Sequence, residues 1–388
     1  MLAHSPPLPL VIDYRRTDIT AKDEEAVILA LEQRDRVRRI RFGIRVLKLQ
    51  KLITVIDGEY PNLEYLILVD PPEDKSTVLF LPETLQIPHL RHLTIDCSIS
   101  IRFQLLTTAV GLVTLDLALY HPSTYFQPSV LLQLLSLMPQ LEMFLIFFYF
   151  AILNRDVERQ LMRTPITTHV TLLNLHTFAF LAVSAYSEAV LSRITTPRLE
   201  KFQICYLKQL TFSVPQLLQF MGRTNNLRFG LVQFSFHSER VYVRVNPLET
   251  NMPLGAFSIN VNCWHLDWQV SSVAQICNAL SQMFSSVEHL TLAHETHSQS
   301  SEEHNEVDRT EWRKLLRSFS NVKTLRIGRG LVGELSRCLL SEDGEHPLEP
   351  LPELQELTYS ESDNSNVTFA SFIDARQNAG RPVTLIKS

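Results

Sequence analysis

The sequence predicts an α/β solenoid, with a curved parallel sheet on one face, helices on the other, and irregular repeats of about 22 to 35 residues. Three observations predict it. A motif of the form proline–x–leucine–x–x–apolar–x–apolar recurs through the chain. Each copy ends in period-two alternation, the mark of a strand with one buried face. Between copies lie stretches with helix start signals, and strands alternating with helices at this spacing pair in parallel.

The motif is clearest at Pro61-Asn62-Leu63-Glu64-Tyr65-Leu66-Ile67-Leu68. It returns at Pro88–Ile95, Pro139–Ile146, Pro197–Ile204, Ser286–Leu292 and Pro352–Tyr359. Its first apolar position falls at Val37, Leu63, Leu90, Leu112, Leu141, Leu175, Leu199, Leu227, Val287, Val322 and Leu354, with a weak unit near Ile259. Alternation turns Leu66 and Leu68, Leu93 and Ile95, Leu115 and Leu117, Phe144 and Ile146, Phe202 and Ile204, and Leu325 and Ile327 inward. Stacking then buries what one unit cannot bury alone, so residues 1–388 read as one array. Residues 1–34 are expected to form an N-terminal capping unit, 35–360 the repeats, and 361–388 a C-terminal capping helix and tail.

The helices carry their own signals. Thr20 precedes Asp23, Glu24 and Glu25, acids that suit a first turn. Ser213-Val214-Pro215 opens a second helix, with Ser213 as cap and Gly222 as its left-handed end. Ser272 precedes a third. Asp308-Arg309-Thr310 opens a fourth, in which Trp312, Leu315, Leu316 and Phe319 share a face. Phe144–Leu153 is the most apolar stretch, but it is too short to span a bilayer and is bracketed by Glu142 and Arg155. It reads as a buried strand and a turn.

Composition narrows the function. A net charge of −5 provides no global basic field, which argues against nucleic acid. Cys97, Cys205, Cys263, Cys277 and Cys338 are odd in number and lack a C-x-x-C pair, so buried free thiols in a reducing compartment, cytoplasmic or nuclear, are expected. No basic leader opens the N-terminus. No cofactor, metal or membrane association is expected.

The repeat resembles leucine-rich repeats of the longer, helix-containing kind, over roughly residues 35–360. It departs from them where Asn or Cys would follow the strand. Those slots hold Pro71, Ser98, Tyr120, Tyr149, Leu207, Glu295 and Gly330, so each turn is expected to satisfy its backbone differently. Irregular arrays of this kind look like the substrate-recognition portion of fungal F-box proteins. Residues 8–14, LPLVIDY, then a helix and residues 36–42, RVRRIRF, resemble the first repeat there. The F-box itself is not evident. Leu8-Pro9 matches its start, but Asp13-Tyr14-Arg15-Arg16 stands where an apolar helix would continue. The resemblance implies a non-enzymatic protein-binding scaffold, a ubiquitin-ligase substrate adaptor without the part that docks on a Skp-type adaptor.

A partner would meet the outward strand residues. These are Tyr65 and Ile67, His92 and Thr94, Thr114 and Asp116, Met143 and Leu145, Lys201 and Gln203, His289 and Thr291, and Thr324 and Arg326, followed by Glu356 and Thr358. The strip is apolar at Met143 and Leu145 and polar at its ends, as interfaces tend to be.

Other motifs compete with this reading. Gly328-Arg329-Gly330-Leu331-Val332-Gly333 is a G-x-G-x-x-G after a strand and before a helix, with Glu361 and Asp363 beyond the next strand. That order would suit a nucleotide-dependent enzyme, but too few strands follow, and a solenoid needs a tight turn there anyway. His294, His297 and His304 read as surface-loop residues rather than metal ligands, because the first two are three apart in a polar stretch. The basic run Arg34, Arg36, Arg38, Arg39, Arg41, Arg45, Lys48 and Lys51 reads as solvated faces before an anion site. Residues 298–308 read as an acidic insertion modifiable at Ser298, Ser300 or Ser301. Trp264 and Trp268 share a face and read as core, or as a hot spot if half exposed.

Overall fold

In the computed structural model, residues 8–69, 79–97, 99–100, 103–150, 152–207, 209, 211–224, 227, 229–247, 256–294, 309–339, 350–360 and 369–387 are described, in two compact units, Met1–Leu199 and Glu200–Ser388. Both units are α/β.

The first unit holds strands β1 (Leu10–Tyr14), β2 (Val37–Gly43), β3 (Tyr65–Val69), β4 (Leu79–Phe80), β5 (His92–Asp96), β6 (Ile99–Ser100), β7 (Thr114–Leu119), β8 (Met143–Phe148), β9 (Val170–Thr171), β10 (Thr177–Ala182) and β11 (Ile194–Thr195). Its helices are α1 (Ala21–Leu31), α2 (Val46–Val55), α3 (Phe103–Thr108), α4 (Pro128–Ser136), α5 (Asn154–Arg163) and α6 (Ser184–Leu191). The sheet runs β1-β2-β3-β5-β7-β8-β10 with every neighbour parallel. The short pairs β4–β6 and β9–β11 lie in the connections. The segment expected to cap the array holds β1 and α1, and β1 pairs with β2 as any repeat strand would.

The second unit holds β12 (Lys201–Leu207), β13 (Leu231–Phe236), β14 (Arg240–Asn246), β15 (Phe257–Asn262), β16 (His289–His294), β17 (Thr324–Ile327), β18 (Glu356–Tyr359) and β19 (Thr384–Lys387). With them run α7 (Pro215–Arg223), α8 (Leu266–Ala279), α9 (Ser281–Phe284), α10 (Arg309–Arg317), α11 (Val332–Leu339) and α12 (Ala370–Asn378). Its strand order is β12-β15-β14-β13-β16-β17-β18-β19. This corrects the expectation of an all-parallel array, because β14 is antiparallel to both β13 and β15. Only His237 to Glu239 join β13 to β14, too few residues for a crossover, so the chain reverses. The expected C-terminal helix is α12, and the tail beyond it forms β19, parallel to β18.

The leucine motif works the same way in nearly every repeat. Its first leucine is buried, and that residue's N–H donates to the carbonyl three residues earlier: Leu63 to Tyr60, Leu90 to Ile87, Leu112 to Ala109, Leu141 to Met138, Leu199 to Thr196, Val287 to Phe284, Leu354 to Leu351. The turn delivers the chain into the strand, where Leu66 and Leu68, or Phe144, Ile146 and Phe148, are fully buried. Each such side chain contributes about 1.5–3 kcal/mol of burial. One residue after the first leucine, backbone bonds tie successive repeats. The Glu64 carbonyl accepts from the N–H groups of Arg91 and His92, Arg91 from Val113 and Thr114, Val113 from Glu142 and Met143, and Glu142 from His176 and Thr177. The second unit repeats this through Gly230, Glu288 and Lys323.

An asparagine device exists too, ahead of the strand rather than after it. Asn62, Asn174 and Asn321 each immediately precede a first apolar residue. Their side-chain amides donate to the carbonyls of Asp35 (2.7 Å), Pro139 (3.3 Å) and Ser285 (2.5 Å), each two residues before the first apolar residue of an earlier repeat.

The helix signals fared unevenly. Thr20 caps α1, its hydroxyl accepting from the Asp23 N–H at 3.2 Å. Helix α10 buries Trp312, Leu315 and Leu316 as its spacing predicts, and Phe319 just beyond it. Ser213 does not cap α7: Val214 precedes that helix, without a side-chain cap. Gly222 lies inside α7, and the left-handed glycines among the described residues are Gly58 and Gly380. Helix α8 starts at Leu266, so Ser272 is buried in mid-helix. Among the described residues no helix is long and apolar enough to cross a membrane.

Candidate functional site

Strand pleating and register build the site in each unit. In the first unit, one row of outward residues runs Arg39, Tyr65, His92, Thr114, Met143, Thr177, and the next runs Arg41, Ile67, Thr94, Asp116, Leu145, Ala179. Sequence reasoning named eight of these, and the register brings those eight together. Seven of them are half-buried and Met143 is exposed.

The first row is a continuous stack. The Arg39 guanidinium lies 5.1 Å from the Tyr65 ring centroid. Tyr65 and His92 are parallel, with centroids 4.4 Å apart. His92 Nδ1 is 3.1 Å from Thr114 Oγ1. Burial, helped by the Arg91 charge, lowers the His92 pKa, which favours the neutral imidazole.

The second row carries an acid under stress. Burial, and then the charge of Asp96, push the Asp116 carboxyl up to about 6. Asp96 accepts from the Tyr120 hydroxyl at 2.6 Å, and Tyr120 stacks on Tyr149 at 4.8 Å. Asp96, Tyr120 and Tyr149 were absent from the sequence-derived strip, because they sit at the strand ends where the leucine pattern stops.

The motif also makes a groove that the sequence reading missed. Its positions on either side of the first leucine, polar in three of these four repeats, recur as Asn62 and Glu64, His89 and Arg91, Gly111 and Val113, and Gln140 and Glu142. With Pro9, Asp35, Arg36 and Arg38 they line a cavity of about 890 Å³. The signal was present in the repeat itself: residues that flank a buried leucine at a fixed offset must line up when the repeats stack.

In the second unit the row runs Gln203, Ser258, Arg244, Gln233, Thr291, Arg326, Thr358. Gln203 is thus separated from Thr291 by β15, β14 and β13, of which the leucine pattern marked β13 through Leu227 and β15 through the weak unit near Ile259 but not β14, and Lys201 starts β12. Two residues earlier along these strands, His289 Nδ1 is 2.5 Å from Thr324 Oγ1, the counterpart of the His92–Thr114 pair.

The competing motifs resolve structurally. Residues 328–331 form the turn between β17 and α11, and Gly333 lies in the first turn of α11. A Cβ on Gly328 would come within 3.3 Å of the Ala293 Cα, and one on Gly330 within 3.0 Å of the His294 imidazole. These glycines allow close passage of the preceding repeat. Glu361, Asp363, His297, His304 and the segment 298–308 lie outside the described residues. Among the described residues no group of three or more metal-binding side chains occurs. The basic run is largely engaged within its unit: Arg38 with Glu64 at 3.0 Å, Arg45 with Asp18 at 2.9 Å, Lys51 with Glu24 at 3.4 Å, and Arg34 over Tyr60. All five cysteines are buried free thiols, and burial pushes Cys205 up to about 11 and Cys263 and Cys338 up to about 12. Trp264 and Trp268 are exposed, at 58% and 42%.

No protein-family model matches the chain, and no curated protein matches it. One solved structure, "Crystal structure of TLR13-ssRNA13 complex", aligns at 13% identity with a TM-score of 0.35. The alignment covers 100% of this chain and 47% of that one, so this chain spans about half of its length. A likeness at that score does not define a shared fold.

Proposed function

We propose that the chain is a non-enzymatic protein-interaction scaffold that captures its partner on the outward strand faces. One observation carries the reading. Tyr65, Ile67, His92, Thr94, Thr114, Asp116, Met143 and Leu145 fall into two registered rows on one sheet face, with exposed Met143 beside Leu145 among polar neighbours. The finer assignment, a ubiquitin-ligase substrate adaptor, rests on the resemblance of the irregular repeats to the substrate-recognition portion of fungal F-box proteins.

Affinity capture from native lysate with the full chain tests this. Met143→Glu with Leu145→Glu is expected to abolish recovery of the partners. Unchanged recovery would remove the first-unit strip from the proposal. Recovered partners are expected to be ubiquitylated in cells in a manner that depends on this chain, and the chain alone is expected not to bind a Skp-type adaptor. The rival, a nucleotide-dependent enzyme using Gly328–Gly333, predicts heat on calorimetric titration with NAD or NADP at millimolar concentration.

A further inference from the structure

The antiparallel strand β14 presents what no leucine-motif strand does. Val241, Val243 and Val245 are fully buried, so Arg240, Tyr242 and Arg244 share the opposite face. Both guanidinium groups lie 5.6 Å from the Tyr242 ring centroid. His237 meets the same ring edge-on at 5.2 Å. Among the described residues neither arginine has a carboxylate partner; the ring is their contact.

We propose that this face binds an extended acidic peptide segment, which names the partner chemistry for the second unit and rests on the scaffold reading above. Four observations carry it. The tyrosine holds both guanidinium groups in place, so less side-chain freedom is lost when they engage carboxylates in forked pairs. The row Gln203, Ser258, Arg244, Gln233, Thr291, Arg326 contains no acid, and exposed Arg326 extends the cationic line beyond Arg244. Three strand spacings separate those two arginines, about 14 Å, the reach of about four extended residues. Beside Arg240, exposed Trp264 with Glu239 and Asn262 lines a small cavity of about 140 Å³, an apolar wall for one side chain of the segment. The arrangement favours carboxylates over stacked bases, because arginines already cover the Tyr242 ring.

The experiment is fluorescence polarisation of a labelled hexaglutamate peptide against the full chain. Tryptophan emission is a second readout, since Trp264 and Trp268 are exposed and Trp312, the remaining tryptophan, is buried. Hexaglutamate is expected to bind, to weaken with added salt, and to shift the emission. Arg244→Ala and Arg240→Ala are each expected to weaken it about tenfold. Arg244→Lys, which keeps the charge without the fork, should also weaken it while leaving the thermal midpoint unchanged. Three results would overturn the proposal: no hexaglutamate binding, binding indifferent to both alanine variants, or tighter binding of an oligothymidine that depends on the same arginines. Met143→Glu with Leu145→Glu is expected to leave peptide binding intact. If the peptide fails while partner capture still depends on Met143 and Leu145, the inference falls and the scaffold reading stands.

Discussion

The two units reach the same sheet-and-helix layering by different means. In the first, leucines fill the interior and a backbone ladder ties each repeat to the next, and among the described residues the buried polar groups include the hydroxyls of Thr124, Ser184, Ser187, Thr196, Tyr60 and Tyr186. In the second, an antiparallel hairpin interrupts the ladder, and Arg313, Arg376 and Gln269 are buried as well. Those side chains donate to carbonyls of loops and of the last turn of α11. The Arg313 Nε reaches the Cys338 carbonyl at 3.1 Å, and Gln269 reaches the carbonyls of His237 and Cys263 at 2.7 and 2.9 Å. Buried carbonyls must be paired in both units. The regular repeats add buried neutral donors to their ladder, such as the hydroxyls of Tyr60 and Tyr186 to the carbonyls of Leu31 and Phe126 at 3.2 and 2.7 Å, whereas the interrupted array also draws buried arginines from its helices.

The strongest test of that contrast is Arg376→Met. Arg376 is fully buried on α12 and donates to the carbonyls of Leu351, Pro352 and Leu354 at 3.1, 3.2 and 2.9 Å. It holds a turn in which Leu351 has φ 56°, a left-handed conformation unfavourable for a leucine. Losing three bonds from a cation should cost about 3 kcal/mol or more. Urea denaturation measures the loss, and hydrogen exchange at 350–360 should rise selectively. A loss under about 1 kcal/mol would break the comparison, since that turn would then not depend on its borrowed donor. Gln269→Leu probes the hairpin by the same logic. It frees the carbonyls of His237 and Cys263 and should cost about 2 kcal/mol. Faster exchange at the β13–β14 turn is the specific readout.

The first unit should respond in the opposite direction at Asp116. Its carboxyl titrates at about 6 in the folded chain against an ordinary 3.8. The folded state therefore takes up a proton more readily than the unfolded chain, and stability falls as pH rises from about 4 to 6. Above that window the buried charge is a fixed cost. Asp116→Asn should raise stability at pH 7.5 by about 1–2 kcal/mol, discounting the shift for partial exposure, and change little at pH 4. Equal effects at both values would show that the carboxyl is solvated and that the centre of the strip is wetter than its packing implies.

How much of this was legible in the sequence follows from what the leucine pattern encodes. It located β2, β3, β5, β7, β8, β10, β12, β13, β16, β17 and β18, and weakly β15, because each needs buried residues two apart behind a turn-forming apolar residue. It placed Tyr65, His92, Thr114 and Met143 on one face, since register follows from equal offsets in stacked repeats. It did not reveal β14, whose R-V-Y-V-R-V alternation lacks the leading leucine, nor that three connecting residues reverse the chain there. Arg376 was invisible for another reason: a buried cation answers to carbonyls brought together only by the fold. The Ser213 cap and the Gly222 terminus failed because local propensity yields to where packing sets the helix ends.

The smallest expected effect separates the two ways of tying repeats. Asn62 and Asn321 donate to the carbonyls of Asp35 and Ser285, one in each unit, at exposed positions where water can replace the amide. Each alanine substitution should cost about 0.5–1 kcal/mol in urea denaturation. The backbone ladder lies on either side of Asn62, through the Arg38 and Glu64 carbonyls, and of Asn321, through those of Glu288 and Lys323. Equal costs would mean that the ladder sets the spacing of repeats and the asparagines only trim it. A cost at Asn321 several times that at Asn62 would mean that the second unit, interrupted upstream at β14, depends on side-chain donors even where its repeats are regular again.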